Sequence, residues 1–106
     1  MVVRFWSART TPAQARVYLQ HFSSEVLPAL REFAGYVSSS VLTRTTESAV
    51  EILVLTVWQS ISAIDMFAGP DREAAVVAPE AAALLNDYDR RVRHFEVATA
   101  DNLSFG

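Results

Sequence analysis

Three patterns in the sequence predict an α+β domain built on one antiparallel sheet. Runs of β-branched and aromatic residues predict strands, apolar residues spaced by three and four predict helices, and Pro or Gly separates the segments. In chain order the segments are strand, helix, strand, strand, helical region and strand. This order is typical of the split βαβ arrangement of ferredoxin-like folds, whose helices cover one face of the sheet.

The predicted strands share a composition rich in β-branched and aromatic residues. A polar turn at residues 45–48 joins the second strand to the third, so these two form an antiparallel hairpin. The four predicted strands are residues 2–9, 36–45, 49–58 and 91–99.

The first helix is predicted by its start signal and by its apolar periodicity. Thr11 is a candidate N-cap, and Pro12 occupies the first helical position. Pro28 lies inside the apolar pattern and has no N–H to donate, so we expect a kink or break near residues 24–27. Gly35 is expected to end the element.

Two shorter helices are predicted in the second half of the chain. Ser60 is positioned to cap a helix that runs through Phe67, with Met66 or Phe67 facing inward. Pro79 is expected to start another helix, with Tyr88 among its contacts.

Both faces of the predicted sheet are apolar, which has a consequence for assembly. In the third strand, neither residues 53, 55 and 57 nor residues 52, 54, 56 and 58 form a polar face. Helices can cover only one side, and the other would leave a larger apolar patch than monomers usually tolerate. We therefore predict a homodimer, in which two sheets enclose an apolar cavity.

The composition limits the possible partners. The chain has 106 residues and no cysteine, so disulfides and thiolate metal sites are excluded. A net charge of −3 without a basic stripe argues against a nucleic-acid partner. We expect no metal, no cofactor and no membrane partner, because neither ligand spacing nor a long apolar run is present, and we expect a cytoplasmic protein.

The length suits one domain, predicted over residues 1–99. Residues 100–106 are small and polar and are expected to form a mobile tail or a docking arm.

Four segments together resemble the antibiotic biosynthesis monooxygenase family of the dimeric α+β barrel superfamily, and the likeness spans residues 2–98. They are residues 56–60 (TVWQS), 63–69 (AIDMFAG), 74–80 (AAVVAPE) and 92–97 (VRHFEV). The resemblance implies the ferredoxin-like fold and a pocket for a small apolar or aromatic molecule.

One branch of this family oxidises aromatic polyketides with dioxygen and without a cofactor. The strand-ending tryptophan of that branch is present as Trp58. The polar residues that the branch places four before and six after it are replaced by Val54 and Ile64.

A second branch degrades haem, and its required residues are missing here. The positions of its strand asparagine, its helix tryptophan and its haem-ligating histidine hold Ser7, Phe67 and Val76. The resemblance therefore does not favour a haem protein.

The candidate site residues follow from the strand positions and from the resemblance. His94 lies among apolar neighbours and is the candidate base that would take a phenolic proton, leaving an anion that reacts with dioxygen. Trp58 and Trp6 would shape the pocket, and Arg4 and Arg44 would pair with a substrate oxyanion. The leading hypothesis is a cofactor-independent monooxygenase of a phenolic or polycyclic aromatic compound.

Each candidate also has a structural interpretation. A mid-strand histidine is often a hydrogen-bonded core residue, a strand-end tryptophan is often a core or dimer contact, and exposed arginines usually form salt bridges. His21 is expected on the polar edge of the first helix, without a role. The alternative functions are a non-catalytic dimer that binds a small apolar metabolite, and an isomerase or cyclase of the same fold.

Overall fold

The computed structural model describes residues 1–101, so residues 102–106 of the predicted tail lie outside the described part of the chain. Five strands are present: β1 Val2–Thr10, β2 Tyr36–Thr45, β3 Val50–Trp58, β4 Asp87–Tyr88 and β5 Arg93–Glu96. Four α-helices accompany them: α1 Pro12–His21, α2 Leu27–Leu30, α3 Ile61–Ala68 and α4 Pro79–Ala82. A π-helical turn, Phe22–Val26, joins α1 to α2.

The strands form one antiparallel sheet in the order β2-β3-β1-β4, and β5 also pairs with β1. The two short strands share the second edge of β1: β5 pairs with residues 2–5, and β4 pairs with Ala8 and Arg9. The helices pack on one face of this sheet, which confirms the predicted α+β, ferredoxin-like fold class.

The predicted last strand, residues 91–99, is wrong in its extent. Only Arg93–Glu96 forms β5, because the backbone just before it bonds elsewhere. The Val92 N–H donates to the Glu73 carbonyl at 2.8 Å, and the Ala75 N–H donates to the Arg90 carbonyl at 3.0 Å. These bonds pull residues 90–92 away from β1 and toward the segment that follows α3.

The helix predicted at Pro79 is also shorter than its sequence pattern suggested. It ends at Ala82, and Tyr88 belongs to strand β4 rather than to the contacts of a longer helix. The Asn86 N–H donates to the Arg9 carbonyl at 2.9 Å, so the chain has already reached β1 at this point.

The predicted helix signals are confirmed. Thr11 Oγ1 accepts the Gln14 N–H at 3.2 Å, and Ser60 Oγ accepts the Ala63 N–H at 3.1 Å, as N-caps do. The irregularity expected before Pro28 takes the form of the π-helical turn, after which the helix continues.

Gly35 is required by conformation and by space. Its φ of +87° favours glycine, and a Cβ at this position would lie 2.5 Å from the Ala63 Cβ. The turn after α2 therefore packs directly against α3.

The two faces of the sheet differ in their cover. The β1 and β3 side chains that point toward the helices are buried: Val2, Arg4, Trp6, Ala8, Val50, Ile52, Val54, Thr56 and Trp58. The apolar side chains of the other face are only partly covered: Val3, Phe5, Leu53, Leu55 and Val57. We call this second set the open face. A groove of about 700 Å³ runs over it between the sheet and residues 97–101.

None of the described helices is long and apolar enough to cross a membrane.

Candidate active site

A cavity of about 90 Å³ lies between the sheet and the helices of a single chain. Its floor comes from β1 and β3, its roof from α1 and the π-helical turn, and a third wall from the segment between α3 and α4. The lining includes Arg4, Trp6, Val54 and Thr56 in the floor, Tyr18, His21, Phe22 and Val26 in the roof, and Val76, Val77 and Ala78 in the wall. The cavity is thus mostly apolar, with few polar groups.

Arg4 is a buried cation in the floor of this cavity, with 5% of its surface exposed. Its guanidinium donates to the Arg72 carbonyl at 2.7 Å, to the Ala74 carbonyl at 2.8 Å and to His94 Nε2 at 3.0 Å. Its charged carbon lies 5.5 Å from the centre of the Phe67 ring. These contacts fix the orientation of the guanidinium plane.

The charge of Arg4 is not neutralised by a carboxylate within residues 1–101. Burial lowers its pKa to about 10, so the group is still protonated at neutral pH. Two carbonyl groups accept from its N–H donors without cancelling its charge. An anion in the cavity would therefore be stabilised by Arg4.

His94 stands beside Arg4, because the two residues are directly opposite each other on β5 and β1. A guanidinium has only donors, so His94 Nε2 accepts the Arg4 hydrogen bond and the ring proton resides on Nδ1. Burial, followed by the charges of Arg4 and Arg72, lowers the pKa of His94. The ring is neutral at pH 7, and it is not among the residues that line the cavity.

The two tryptophans have different positions. Trp6 lines the cavity, where its Nε1 donates to the Asp89 carbonyl at 2.8 Å and its ring lies 6.2 Å from those of Tyr18 and Tyr88. Trp58 is fully buried, and its Nε1 donates to Thr56 Oγ1 at 2.9 Å. Trp58 therefore supports the floor through Thr56 instead of lining the cavity.

Arg44 is remote from the other predicted site residues. It lies at the hairpin end of β2 and pairs with Glu51 at 2.9 Å, with its side chain 75% exposed. The structure thus brings together Arg4, Trp6 and His94 and leaves Arg44 outside the site.

The predicted site residues and the predicted pocket lie on opposite faces of the sheet. The sequence placed the pocket between the sheets of a dimer, but Arg4, Trp6, Trp58 and His94 all belong to the face covered by the helices. The cavity they approach is enclosed by one chain.

His21 is the functional candidate that sequence reasoning missed, and its expected position on the polar edge of the helix is wrong. It lines the cavity, and its Nε2 is buried and has no hydrogen-bond partner within the described residues. Its ring centre lies 6.4 Å from that of Tyr18. The signal was its spacing: His21 comes three residues after Tyr18, which is buried on the inner face of α1.

Tyr18 contributes a neutral phenol to the roof. Burial raises its pKa to about 12, so it stays protonated over the physiological range. It can act as an aromatic surface and as a dipole, and it does not act as a base.

The third wall also supports Arg4. The carbonyls of Arg72 and Ala74 bind the guanidinium, and Val76 and Val77 close the cavity two to three residues later. Arg72 pairs with Asp65 of α3 at 2.7 Å, which ties the start of this segment to the helix. The same stretch of chain therefore positions the cation and limits the cavity volume.

Metal and haem sites are not supported by these residues. Residues 1–101 contain no group of three or more His, Cys, Asp or Glu side chains that could hold a metal ion. The cavity volume of about 90 Å³ is below the roughly 150 Å³ that accommodates benzene, so neither a haem macrocycle nor a smaller aromatic ring fits in this closed conformation. Val76 supplies no ligand atom at the position of the haem-ligating histidine.

Comparison with solved structures assigns the class of fold, which is that of antibiotic biosynthesis monooxygenase structures. A candidate antibiotic biosynthesis monooxygenase from Bacillus cereus is 15% identical, with a TM-score of 0.70 over 98% of this chain and 97% of that chain. This confirms the fold that the family resemblance implied.

Two further similar structures carry ligands. The haem degrader MhuD from Mycobacterium tuberculosis, with two haems in its active site, is 21% identical, with a TM-score of 0.61 over 96% of this chain and 100% of that chain. A monooxygenase from the gene ActVA-Orf6 of Streptomyces coelicolor, in complex with nanaomycin D, is 17% identical, with a TM-score of 0.58 over 97% of this chain and 91% of that chain. No family model and no curated protein sequence matches this chain.

Proposed function

We propose that the protein is a cofactor-independent monooxygenase that acts on a phenolic or polycyclic aromatic small molecule in the cavity between sheet and helices. The observation that carries the proposal is Arg4, a rigidly held cation that faces an apolar cavity and has no carboxylate partner within residues 1–101. Such a group stabilises negative charge that develops on a bound ligand. Similar structures named as monooxygenases support the same reaction class.

The chemistry requires an anion and dioxygen, and the substrate itself supplies the electrons. Loss of a proton from an anthrone, for example, leaves a carbanion whose charge is shared with the carbonyl oxygen, where Arg4 would stabilise it. Dioxygen forms a bond to that carbon, and return of the proton gives a hydroperoxide. Its O–O bond and the remaining C–H bond of the same carbon then break, which releases water and leaves a carbonyl group. One oxygen atom of dioxygen becomes a carbonyl oxygen of the quinone product, and the other leaves as water.

The neighbouring residues have supporting roles in this proposal. Trp6 offers a flat aromatic surface in the floor. His94 holds the Arg4 guanidinium through its Nε2 and is therefore a positioning residue. The sequence-based role of His94 as the base stays a prediction, and it would require the Arg4 hydrogen bond to break. Arg44 has no role in the site.

Ligand entry requires the third wall to move. Pockets for small molecules usually measure about 300–1,000 Å³, and the present cavity of about 90 Å³ is much smaller. Val76 is 54% exposed, so an outward displacement of its segment uncovers little of the core. We propose that the segment of residues 76–78 opens to admit the aromatic ring.

We also propose that the protein is a homodimer in which a second copy covers the open face. Val3, Leu55 and Val57 leave an apolar groove there, and Phe95 is 50% exposed beside it. A two-fold partner would bring the same apolar surface to this face. In this arrangement each chain keeps its own cavity on the far side of its sheet.

The test of function uses anthrone as the probe, in an oxygen electrode and with oxygen-18 gas. We expect the wild-type protein to consume oxygen above the uncatalysed rate and to place one labelled atom in anthraquinone. Arg4→Gln should lower the rate by roughly a hundredfold or more, as loss of an oxyanion donor does.

Arg44→Gln is the matched control for that test, because it removes an arginine outside the cavity, and it should keep the wild-type rate. Absence of oxygen uptake by the wild-type protein, or equal rates for the two arginine variants, would contradict the proposal. Circular dichroism of each variant verifies that it is folded.

One observation favours a second function, the binding of an aromatic anion without turnover. The basic nitrogen of His94 is engaged by Arg4, so the floor offers a cation and no free base. Such a floor suits a ligand that is already ionised. Saturable binding of 2-naphthoate without oxygen uptake from anthrone would support this alternative.

A further inference from the structure

We propose that His21 is the proton acceptor of this cavity, and that its Nε2 takes the proton of a hydroxyl-bearing aromatic ligand whose negative charge then faces Arg4. The inference rests on the proposed function in so far as both place an aromatic ligand in the same cavity. It names the ligand class more narrowly, as a phenol or enol that is ionised on binding.

The first support is the environment of the imidazole. Its Nε2 is buried and unpartnered within residues 1–101, and the side chain lines the cavity. Proteins rarely leave a buried polar atom unsatisfied, because its desolvation is then uncompensated. A ligand hydroxyl at this point would supply the missing partner.

The second support is the arrangement of the two polar groups. His21 ends α1 in the roof, whereas Arg4 lies on β1 in the floor. The aromatic ring of Tyr18 connects the two layers, since it lies 6.4 Å from His21 and 6.2 Å from Trp6. A flat ligand between roof and floor would meet the imidazole on one side and the guanidinium on the other.

The third support is that the other polar groups near the cavity are already engaged or cannot accept a proton. Burial raises the pKa of Tyr18 to about 12, so its phenol is protonated. The oxygen of Thr56 accepts from Trp58 Nε1, and Nε2 of His94 accepts from Arg4. Among the described residues that line the cavity, His21 is thus left with an unoccupied imidazole nitrogen.

The proton transfer balances without a further reactant. The O–H bond of the ligand breaks, its proton moves to Nε2, and the electron pair stays on the ligand oxygen and its conjugated ring. The imidazole becomes a cation and the ligand an anion, and Arg4 stabilises that anion. Histidine side chains often act as proton acceptors in catalysis.

The test uses 4-nitrophenol, whose neutral and ionised forms absorb at different wavelengths. At slightly acidic pH, we expect the probe bound to wild-type protein to be more ionised than the free probe. His21→Phe keeps an aromatic ring but has no nitrogen, and it should lower the ratio of ionised to neutral bound probe by about tenfold or more. His21→Gln, which is polar but not basic, should give the same loss and serves if His21→Phe does not fold.

Gln20→Ala is the matched control, since Gln20 is the exposed neighbour of His21 on α1, and it should ionise the probe as the wild-type protein does. An unchanged degree of ionisation in both His21 variants overturns the inference, and so does the absence of any spectral change with the wild-type protein.

The 4-nitrophenol assay needs no oxygen, so it separates this inference from the monooxygenase proposal. Ionisation that depends on His21, without oxygen uptake from anthrone, leaves the inference standing while the proposed reaction fails. If wild-type and His21→Phe proteins oxygenate anthrone at equal rates, the monooxygenase proposal stands and the role of His21 as proton acceptor fails.

Discussion

At the scale of residues, Arg4 is central because it combines burial, charge and fixed geometry. Two backbone carbonyls and one imidazole nitrogen hold its guanidinium, and none of them cancels its charge. Keeping a cation in such a place reduces stability unless a binding partner compensates. In the proposed function, that partner is an anion or an anionic transition state bound in the cavity.

The role of His94 is open to a direct test at the same scale. His94→Gln retains an acceptor oxygen for the Arg4 guanidinium, whereas His94→Leu removes it. If His94 positions Arg4, the glutamine variant keeps most of the anthrone oxygenation rate, and the leucine variant loses roughly 10- to 100-fold because the cation is displaced. Initial rates of oxygen uptake measure both variants. Equal and complete loss in the two variants would instead support His94 as the base.

At the scale of elements, the segment between α3 and α4 links the cavity to the sheet. Its backbone carries the carbonyls that bind Arg4. It also forms the two backbone hydrogen bonds, Val92 N–H to the Glu73 carbonyl and Ala75 N–H to the Arg90 carbonyl, that make β5 shorter than predicted. The site thus lies near the point along β1 where pairing with β5 ends and pairing with β4 begins.

The packing of α3 against the turn at Gly35 gives a prediction at the scale of elements. Gly35→Ala should lower the free energy of unfolding by about 1–3 kcal/mol for its positive φ and by a further ~1–3 kcal/mol for the contact of its new Cβ with Ala63. Gly69→Ala is the control, because Gly69 also has a positive φ of +83°, but a Cβ added there would meet no atom within 4 Å. Urea denaturation compares the two variants. If the two variants are equally stable, the close contact between residue 35 and Ala63 does not affect the free energy of unfolding.

At the scale of the whole molecule, the two faces of the sheet differ in what covers them. The helix-covered face holds the cavity and its polar groups, and the open face carries partly covered apolar side chains. An exposed apolar face on a small domain usually indicates an interface. In the functions proposed above, the chemistry belongs to the helix-covered face and the assembly to the open face.

Assembly through the open face can be measured by sedimentation equilibrium. We expect the wild-type chain to be a dimer at micromolar concentration and Leu55→Glu to be a monomer, because a carboxylate in the centre of the open face would be buried without a partner. Met66→Glu is the control, since Met66 is 77% exposed on α3, and it should remain a dimer. A monomeric wild-type protein, or a dimeric Leu55→Glu variant, would refute the proposed interface.

Local signals in the sequence were sufficient for most of the fold. The caps at Thr11 and Ser60 act through neighbouring backbone groups, and β2 has the predicted limits because its strand residues are bounded by a glycine and a polar turn. Periodicity also separated the two faces of β3 correctly, since alternation depends only on the geometry of a strand. Arg4, Trp6 and His94 lie on strands β1 and β5, as their strand patterns predicted.

The tertiary structure decided what local patterns cannot encode. The sequence by itself determined the α+β fold class, the helix starts and the apolar character of both sheet faces, because these depend on neighbours in the chain. Only the folded chain showed that the helices cover the face of the sheet that carries Arg4, and that His21 lines the cavity. It also showed that β5 is short because the backbone before it forms hydrogen bonds with residues 73 and 75. Each of these depends on contacts between segments distant in sequence, and so on packing rather than on propensity.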